Sequence, residues 1–152
     1  MPRQRIWREG IANAVSAGIG AILMLVSLAL PWYAYRSGPY SVNISPSELL
    51  SHKLVESNWA GSGLPLLFVI ILAVVILLCT ITSLATRRTM ARVWGTLGLL
   101  ALMSVVANAL YILWWLHGSQ ATQEWINIVH AGSIVAFIGA LVVMVSGFIR
   151  SR

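Results

Sequence analysis

The feature that most constrains the fold is residues 66–85, which read LLFVIILAVVILLCTITSLA and contain no charged side chain. A helix rises 1.5 Å per residue, so a stretch of this length covers about 30 Å, the thickness of the hydrocarbon core of a bilayer. Arg87 and Arg88 follow almost directly and mark a membrane boundary. We therefore predict that this stretch is a transmembrane helix.

Three further apolar stretches have the same character, so we expect four transmembrane helices over about residues 11–30, 66–85, 93–116 and 127–149. Of the 152 residues, 59% are hydrophobic and only 9% are charged, whereas soluble domains carry about 25% charged residues. The length suits one domain. The predicted fold class is an all-α membrane protein, a four-transmembrane-helix bundle that forms a single integral membrane domain over residues 1–152.

Basic residues are distributed unevenly between the two sides of the membrane that these spans define. Eight of the ten lie in the N-terminal tail, after the second span and in the C-terminal tail, and the other two are Arg36 and Lys53. The positive-inside rule then predicts a multi-pass protein of the plasma membrane with both termini cytoplasmic. Because topology explains the net charge of +6, we expect the lipid bilayer as partner and no binding to nucleic acid.

The longest segment outside the spans, residues 32–59, is predicted to form a small extracytoplasmic cap. Tyr33–Arg36 and Tyr40–Ile44 alternate apolar with polar residues around Ser37, Gly38 and Pro39, a pattern typical of a short β-hairpin. Ser45, Pro46 and Glu48 then form a capping box with proline at the first helical position. We therefore expect a short helix to follow the hairpin.

Small and polar residues within the spans predict where the helices contact one another. Small side chains at four-residue spacing let helix backbones approach closely, and a polar amide inside a membrane hydrogen-bonds to protein because lipid offers no partner. The candidate helix-packing residues are Ala14, Ser16, Ala17, Gly18, Gly20, Ala21, Ser104, Asn108, Gly132, Ala136 and Ala140.

Aromatic residues concentrate near the outer edge of the predicted bundle. Tryptophan is enriched at membrane–water interfaces, where its ring suits the headgroup zone. An interfacial belt and a patch that docks a partner or a lipid-like ligand both fit this distribution. The candidate partner or lipid contacts are Trp32, Trp59, Trp114, Trp115 and Trp125.

Residue types that carry chemistry are scarce. The sequence has no aspartate, its four glutamates lie outside the predicted spans, and Cys79 is its one cysteine. Proton-coupled transporters usually keep an ionisable residue at membrane depth, and no Lys, Arg or Glu lies inside the predicted spans. We expect no catalytic residue, no cofactor and no metal site. Three outer-side histidines are weak candidates for metal ligands, but they come from separate segments: His52, His117 and His130.

The layout of four spans, cytoplasmic termini, a long first outer loop and a short second one resembles the claudins and related tetraspans. The claudin signature in the first outer loop, Gly-Leu-Trp followed by two cysteines, does not occur in this sequence. The resemblance therefore implies topology only.

Weak internal similarity pairs the two helical hairpins. Arg5-Ile6-Trp7 matches Arg92-Val93-Trp94, and Ala60-Gly61-Ser62 matches Ala131-Gly132-Ser133. If these are parallel repeats, the second and fourth helices correspond to each other.

Three functions stay open on these observations. The leading hypothesis is a non-enzymatic structural or accessory subunit that associates with itself or with other membrane subunits. The first alternative is a homo-oligomeric channel or carrier for a small or lipophilic solute, in which Ser104 and Asn108 face the pathway. The second is a haem- or metal-binding membrane protein that uses the outer histidines.

Overall fold

Four long helices dominate the computed structural model, which describes residues 2–37, 39–46, 59–86, 90–118, 124–127 and 130–148. The helices are α1 (Pro2–Ser27), α2 (Trp59–Thr86), α3 (Ala91–Gly118) and α4 (Ala131–Phe148). Each contains a window of at least 18 residues that is long and apolar enough to cross a membrane. The chain is therefore a multi-pass membrane protein with four candidate spans.

The helices form a ring in which α1 contacts α2, α2 contacts α3, α3 contacts α4 and α4 contacts α1. Met24, near the end of α1, shares a buried cluster with Leu66 at the start of the apolar part of α2. Trp94, near the start of α3, shares a second cluster with Ala14 of α1 and Val143 of α4. Neighbouring helices are therefore antiparallel, and α1 and α3 end where α2 and α4 begin.

Buried positions follow a 3.5-residue repeat in all four helices. Successive buried residues alternate between spacings of three and four, which is the heptad pattern of left-handed helix packing. The pattern predicts crossing angles near 20° between neighbouring helices. The seam residues are Ala14, Ala17, Ala21 and Met24 in α1; Leu66, Val69, Ala73, Ile76, Thr80 and Ser83 in α2; Trp94, Gly98, Ala101, Val105 and Asn108 in α3; and Gly132, Ala136, Gly139, Val143 and Ser146 in α4.

Many large apolar side chains lie on the outside of the bundle, and many of the fully buried residues are small. Ile81 and Met103 are 62% and 61% exposed, whereas Ala73 and Ala101 are fully buried. Soluble proteins bury their large aliphatic residues, so this arrangement would be unstable in water. In lipid it is favourable, because small interior residues bring helix backbones together while large exterior ones contact acyl chains.

A three-stranded antiparallel sheet lies where α1 and α3 end, and we call this the sheet end of the bundle. Its strands are β1 (Tyr33–Ser37), β2 (Tyr40–Ile44) and β3 (Glu124–Asn127), in the order β2-β1-β3. β1 and β2 pair from Tyr33 opposite Ile44 to Ser37 opposite Tyr40, in the two segments where the sequence predicts a hairpin. β3 was not predicted, and it joins the connection between α3 and α4 to the connection between α1 and α2.

Several helix boundaries differ from the sequence-based expectation, and α1 and α2 begin well before the predicted spans, at Pro2 and Trp59. The fourth helix begins at Ala131 and not at residue 127, because β3 occupies residues 124–127 and pairs with β1. The first helix ends at Ser27, three residues before the predicted end. The short helix expected after Ser45 lies outside the described residues, except for its first residue, Pro46, which is buried.

Candidate functional site at the sheet end

The junction between α1 and the sheet is built around Trp32. Pro31 cannot continue a helix, and the last turn of α1 tightens before it, with Leu30 N donating to Ser27 O at 3.1 Å. The Trp32 indole folds back over this turn and its Nε1 donates to Ser27 O at 2.8 Å. Trp32 is 1% exposed. The expected interfacial or partner contact at Trp32 is therefore replaced by an interior one, since the ring covers the end of its own helix.

α4 begins against this same turn, and only glycine fits at the contact. Gly132 N donates to Pro31 O at 2.9 Å. A Cβ at Gly132 would lie 2.3 Å from Trp32 Cδ1 and 2.8 Å from Leu30 O, far inside normal contact distances. The start of α4 is thus fixed on the end of α1 by one hydrogen bond and by close packing.

Tyr33 links the sheet to α3. Its hydroxyl donates a hydrogen bond to Asn108 Oδ1, and both side chains are buried. Burial raises the pKa of the Tyr33 phenol well above its ordinary range, because the charged phenolate would be desolvated. The neutral hydroxyl is therefore the form that makes this bond. Asn108 does face protein, as a buried amide in a membrane requires, and the donor to its Oδ1 is a strand residue, Tyr33.

We call these residues the sheet-end junction: Ser27, Pro31, Trp32, Tyr33, Asn108 and Gly132. The Trp32 and Tyr33 rings pack edge to face, with centroids 6.4 Å apart. The Ser27 hydroxyl donates to Met24 O at 2.6 Å. The polar groups of the sheet-end junction thus form hydrogen bonds within the protein. The junction positions α1, α3, α4 and β1 against each other.

The packing residues predicted from the sequence fall mainly in the interior. Asn108 and eight of the small residues are buried, while Ser16 and Ser104 are partly exposed. The Ser104 hydroxyl donates to Leu100 O at 2.9 Å within its own helix. The buried small residues are Ala14, Ala17, Gly18, Gly20, Ala21, Gly132, Ala136 and Ala140.

The remaining predicted aromatic and histidine contacts are only partly described. Trp59 lies at the first residue of α2, Trp114 and Trp115 lie in the last part of α3, and Trp125 lies in β3. His117 lies at the end of α3, and His52 lies outside the described residues.

His130 precedes α4, and its backbone N donates to Ser133 Oγ at 3.1 Å while that hydroxyl donates back to His130 O at 2.9 Å. The His130 Nδ1 is buried and makes no hydrogen bond. Within the described ranges, no three side chains among His, Cys, Asp and Glu lie together as a metal site.

Several important contacts were not predicted. A Cβ at Gly139 would lie 2.7 Å from Gly20 O, and one at Gly147 would lie 2.1 Å from Gly95 N. A Cβ at Gly98 would lie 2.3 Å from Met144 N. Gly132, Gly139 and Ser146 share the seven-residue spacing of the α4 seam, a signal that a search for heptads of small residues would have found.

Comparison of the chain with protein-family models, with curated proteins and with solved structures finds no match.

Proposed function

We propose that the protein is a non-enzymatic structural or accessory subunit that assembles with itself or with other membrane proteins. The observation that carries this proposal is the use of the interior polar groups. The hydroxyls of Ser27, Thr80 and Ser146 donate to carbonyls of their own helices. The Tyr33 hydroxyl binds Asn108. In the part of the chain that the structure describes, these hydroxyls stabilise the bundle, while Trp94 Nε1 and His130 Nδ1 are buried without a hydrogen bond. The proposal therefore places function on the outer surface.

The proposed setting is the plasma membrane, with both termini in the cytoplasm and the sheet outside. The support is the distribution of basic residues along the sequence, because the segments between α1 and α2 and between α3 and α4 contain only Arg36 and Lys53 among them. In this orientation the sheet and the turn around Pro31 present a protein surface to extracytoplasmic partners, and the apolar perimeter presents one to partners in the bilayer.

Cysteine cross-linking in native membranes tests the assembly. Cys79 is the one cysteine of the sequence, so Cys79→Ala gives a background without thiols. Single cysteines then replace exposed residues on different helices, namely Ile22, Leu78, Leu110 and Phe137. We expect oxidation to trap a dimer or a mixed species from at least one of these positions, and mass spectrometry identifies the trapped partner.

A buried position supplies the matched control. Ala101→Cys places a thiol in the interior and should give no cross-link between chains. The proposal fails if all four exposed positions stay uncross-linked and extraction with lipid-preserving polymers yields only monomer. Flux through proteoliposomes, lowered by Asn108→Leu but not by Leu110→Val, would instead support the channel alternative.

A further inference from the structure

Trp94 carries a polar group that the surrounding protein does not satisfy. Its side chain is fully buried at the end of the bundle opposite the sheet. In the part of the chain that the structure describes, its Nε1 is buried and makes no hydrogen bond to protein. An indole N–H can only donate, and a buried donor without an acceptor is strongly unfavourable inside a membrane protein. The Trp94 N–H therefore needs an acceptor that is not part of the chain.

Two serines on the neighbouring helices lie near the depth of Trp94. Ser83 is three residues before the end of α2, and Trp94 is three residues after the start of α3, so the two are level in this antiparallel pair. On α4, a Cβ at Gly147 would lie 2.1 Å from Gly95 N. Ser146 is adjacent to Gly147 in the chain, as Trp94 is to Gly95, so Ser146 lies within about one helical turn of Trp94 in depth.

Both serines occupy interior positions of their helices. Ser83 is 5% exposed and Ser146 is 3% exposed. The Ser146 hydroxyl donates to Val142 O at 2.7 Å. A serine oxygen has two lone pairs besides its one donor, so it also accepts hydrogen bonds. Buried polar groups from α2, α3 and α4 are thus brought together in one layer at this end of the bundle.

We propose that Trp94, Ser83 and Ser146 hold one buried water molecule. The indole N–H donates to the water oxygen, and the water donates its two protons to Ser83 Oγ and Ser146 Oγ. Buried waters in proteins typically make about three hydrogen bonds, as this one does. The backbone contact between Gly95 and Gly147 keeps α3 and α4 too close for a larger ligand.

The bound water joins three helices at the end that lacks the sheet. It gives α2 a polar link to α3 and α4, in addition to the side-chain packing of its seam. This inference concerns the interior of the bundle and is independent of the subunit function proposed above.

Nuclear magnetic resonance of the full chain in detergent micelles, with isotope-labelled tryptophan, tests the site directly. Loss of one indole N–H signal in Trp94→Phe identifies the signal of Trp94. We expect a cross-relaxation peak between this proton and water in the wild type, because the bound water stays in contact with the indole. An indole without a bound water gives no such peak.

A double-mutant cycle, measured by SDS titration in mixed micelles, tests the bridge. Ser146→Ala should raise the equilibrium constant for unfolding about fivefold in the wild type and about twofold or less in Trp94→Phe, because that variant has already lost the bound water. Ser83→Ala should behave in the same way. Ser27→Ala is the matched control, since Ser27 is a buried serine that bonds within its own helix at the sheet end. Its effect should be equal in both backgrounds.

Two results would overturn the proposal: no water cross-peak at the Trp94 indole, or effects of Ser146→Ala and Ser83→Ala that Trp94→Phe leaves unchanged. If Trp94→Phe does not fold, the water cross-peak of the wild type decides alone. The Trp94 signal is then identified by cross-relaxation with the methyl groups of Ala14 and Val143, which belong to the same buried cluster.

Discussion

α2 and α4 occupy equivalent places in the bundle, since each lies between α1 and α3, but they are packed by different means. The α4 seam includes Gly132 and Gly139, and α4 contacts both neighbours more extensively than α2 does. The α2 seam contains no glycine, and half of it consists of larger residues, namely Leu66, Val69 and Ile76. The weak internal similarity of the sequence pairs these two helices. In the structure they differ in the size of the residues that pack against α1 and α3.

The two helices differ in the atoms that form their contacts with α1. At Gly139, α4 is held backbone to backbone, because a Cβ there would meet Gly20 O and Met24 N. At the α1–α2 contact a Cβ on Gly18 would meet only the Thr80 side-chain methyl, at 3.2 Å. A side chain can rotate away from an added atom, but a helix backbone has to move as a whole. α4 should therefore be much less tolerant of added volume than α2.

The largest effect is expected at Gly139. Gly139→Leu would force α4 away from α1, and because backbone atoms limit the space we expect a loss of about 3 kcal/mol or more in the free energy of unfolding. The measurement is unfolding by SDS titration in mixed micelles. Ile138→Leu is the control, since Ile138 is exposed, and it should change stability by less than about 0.5 kcal/mol.

The corresponding change in α2 is Ala73→Leu. Ala73 is fully buried in the α2 seam, among side chains that include Leu66 and Val69. These side chains can repack in part, so we expect a smaller loss of about 1–2 kcal/mol in the same titration. A loss equal to that of Gly139→Leu would remove the distinction between the two helices.

Substitutions in the sheet-end junction test whether a polar contact contributes to the free energy of unfolding in addition to close packing. Asn108→Leu leaves the buried Tyr33 hydroxyl without its partner and should cost about 1–3 kcal/mol. Tyr33→Phe should cost less on its own. A double-mutant cycle of the two should give a coupling free energy of about 0.5–1.5 kcal/mol. Additive effects would show that the hydrogen bond contributes nothing to the joining of β1 and α3.

Alkaline pH should weaken the same contact, with a smaller effect. Because burial raises the pKa of Tyr33 in the folded protein, the unfolded state loses the phenol proton first, above its usual pKa of about 10. The contribution of the Tyr33 phenol to the free energy of unfolding is complete below that pH and decreases as the pH rises further. Stability measured from about pH 8 to 11 should therefore fall more steeply in the wild type than in Tyr33→Phe. Parallel curves would show that Tyr33 has no role in this loss.

Much of the fold could be predicted because composition and span length are strong signals. The four helices, the two strands at Tyr33–Ile44 and the burial of residues such as Ala17 and Ala136 follow from local patterns. β3 could not be predicted in the same way, since Glu124–Asn127 is too short to show an alternation and depends on pairing with β1.

Only some residues of the sheet-end junction could be predicted from the sequence. Asn108 and Gly132 stood out as a polar and a small residue within spans. The sequence predicts an interfacial or partner contact for Trp32 and a strand position for Tyr33, and only the fold shows that both are buried. Local sequence cannot distinguish these roles, because both place an aromatic ring directly after a proline that ends a span.

The most direct test of backbone-to-backbone packing by α4 compares Gly20→Ala with Gly18→Ala, two residues apart on α1. Alanine favours helix by about 1 kcal/mol over glycine, so both changes gain equally from propensity. A Cβ at Gly20 would lie 2.6 Å from Gly139 O, whereas one at Gly18 meets only the Thr80 methyl. We predict that Gly20→Ala lowers the free energy of unfolding by about 2 kcal/mol, whereas Gly18→Ala leaves it unchanged or raises it by up to about 1 kcal/mol. Equal effects of the two substitutions would contradict the account.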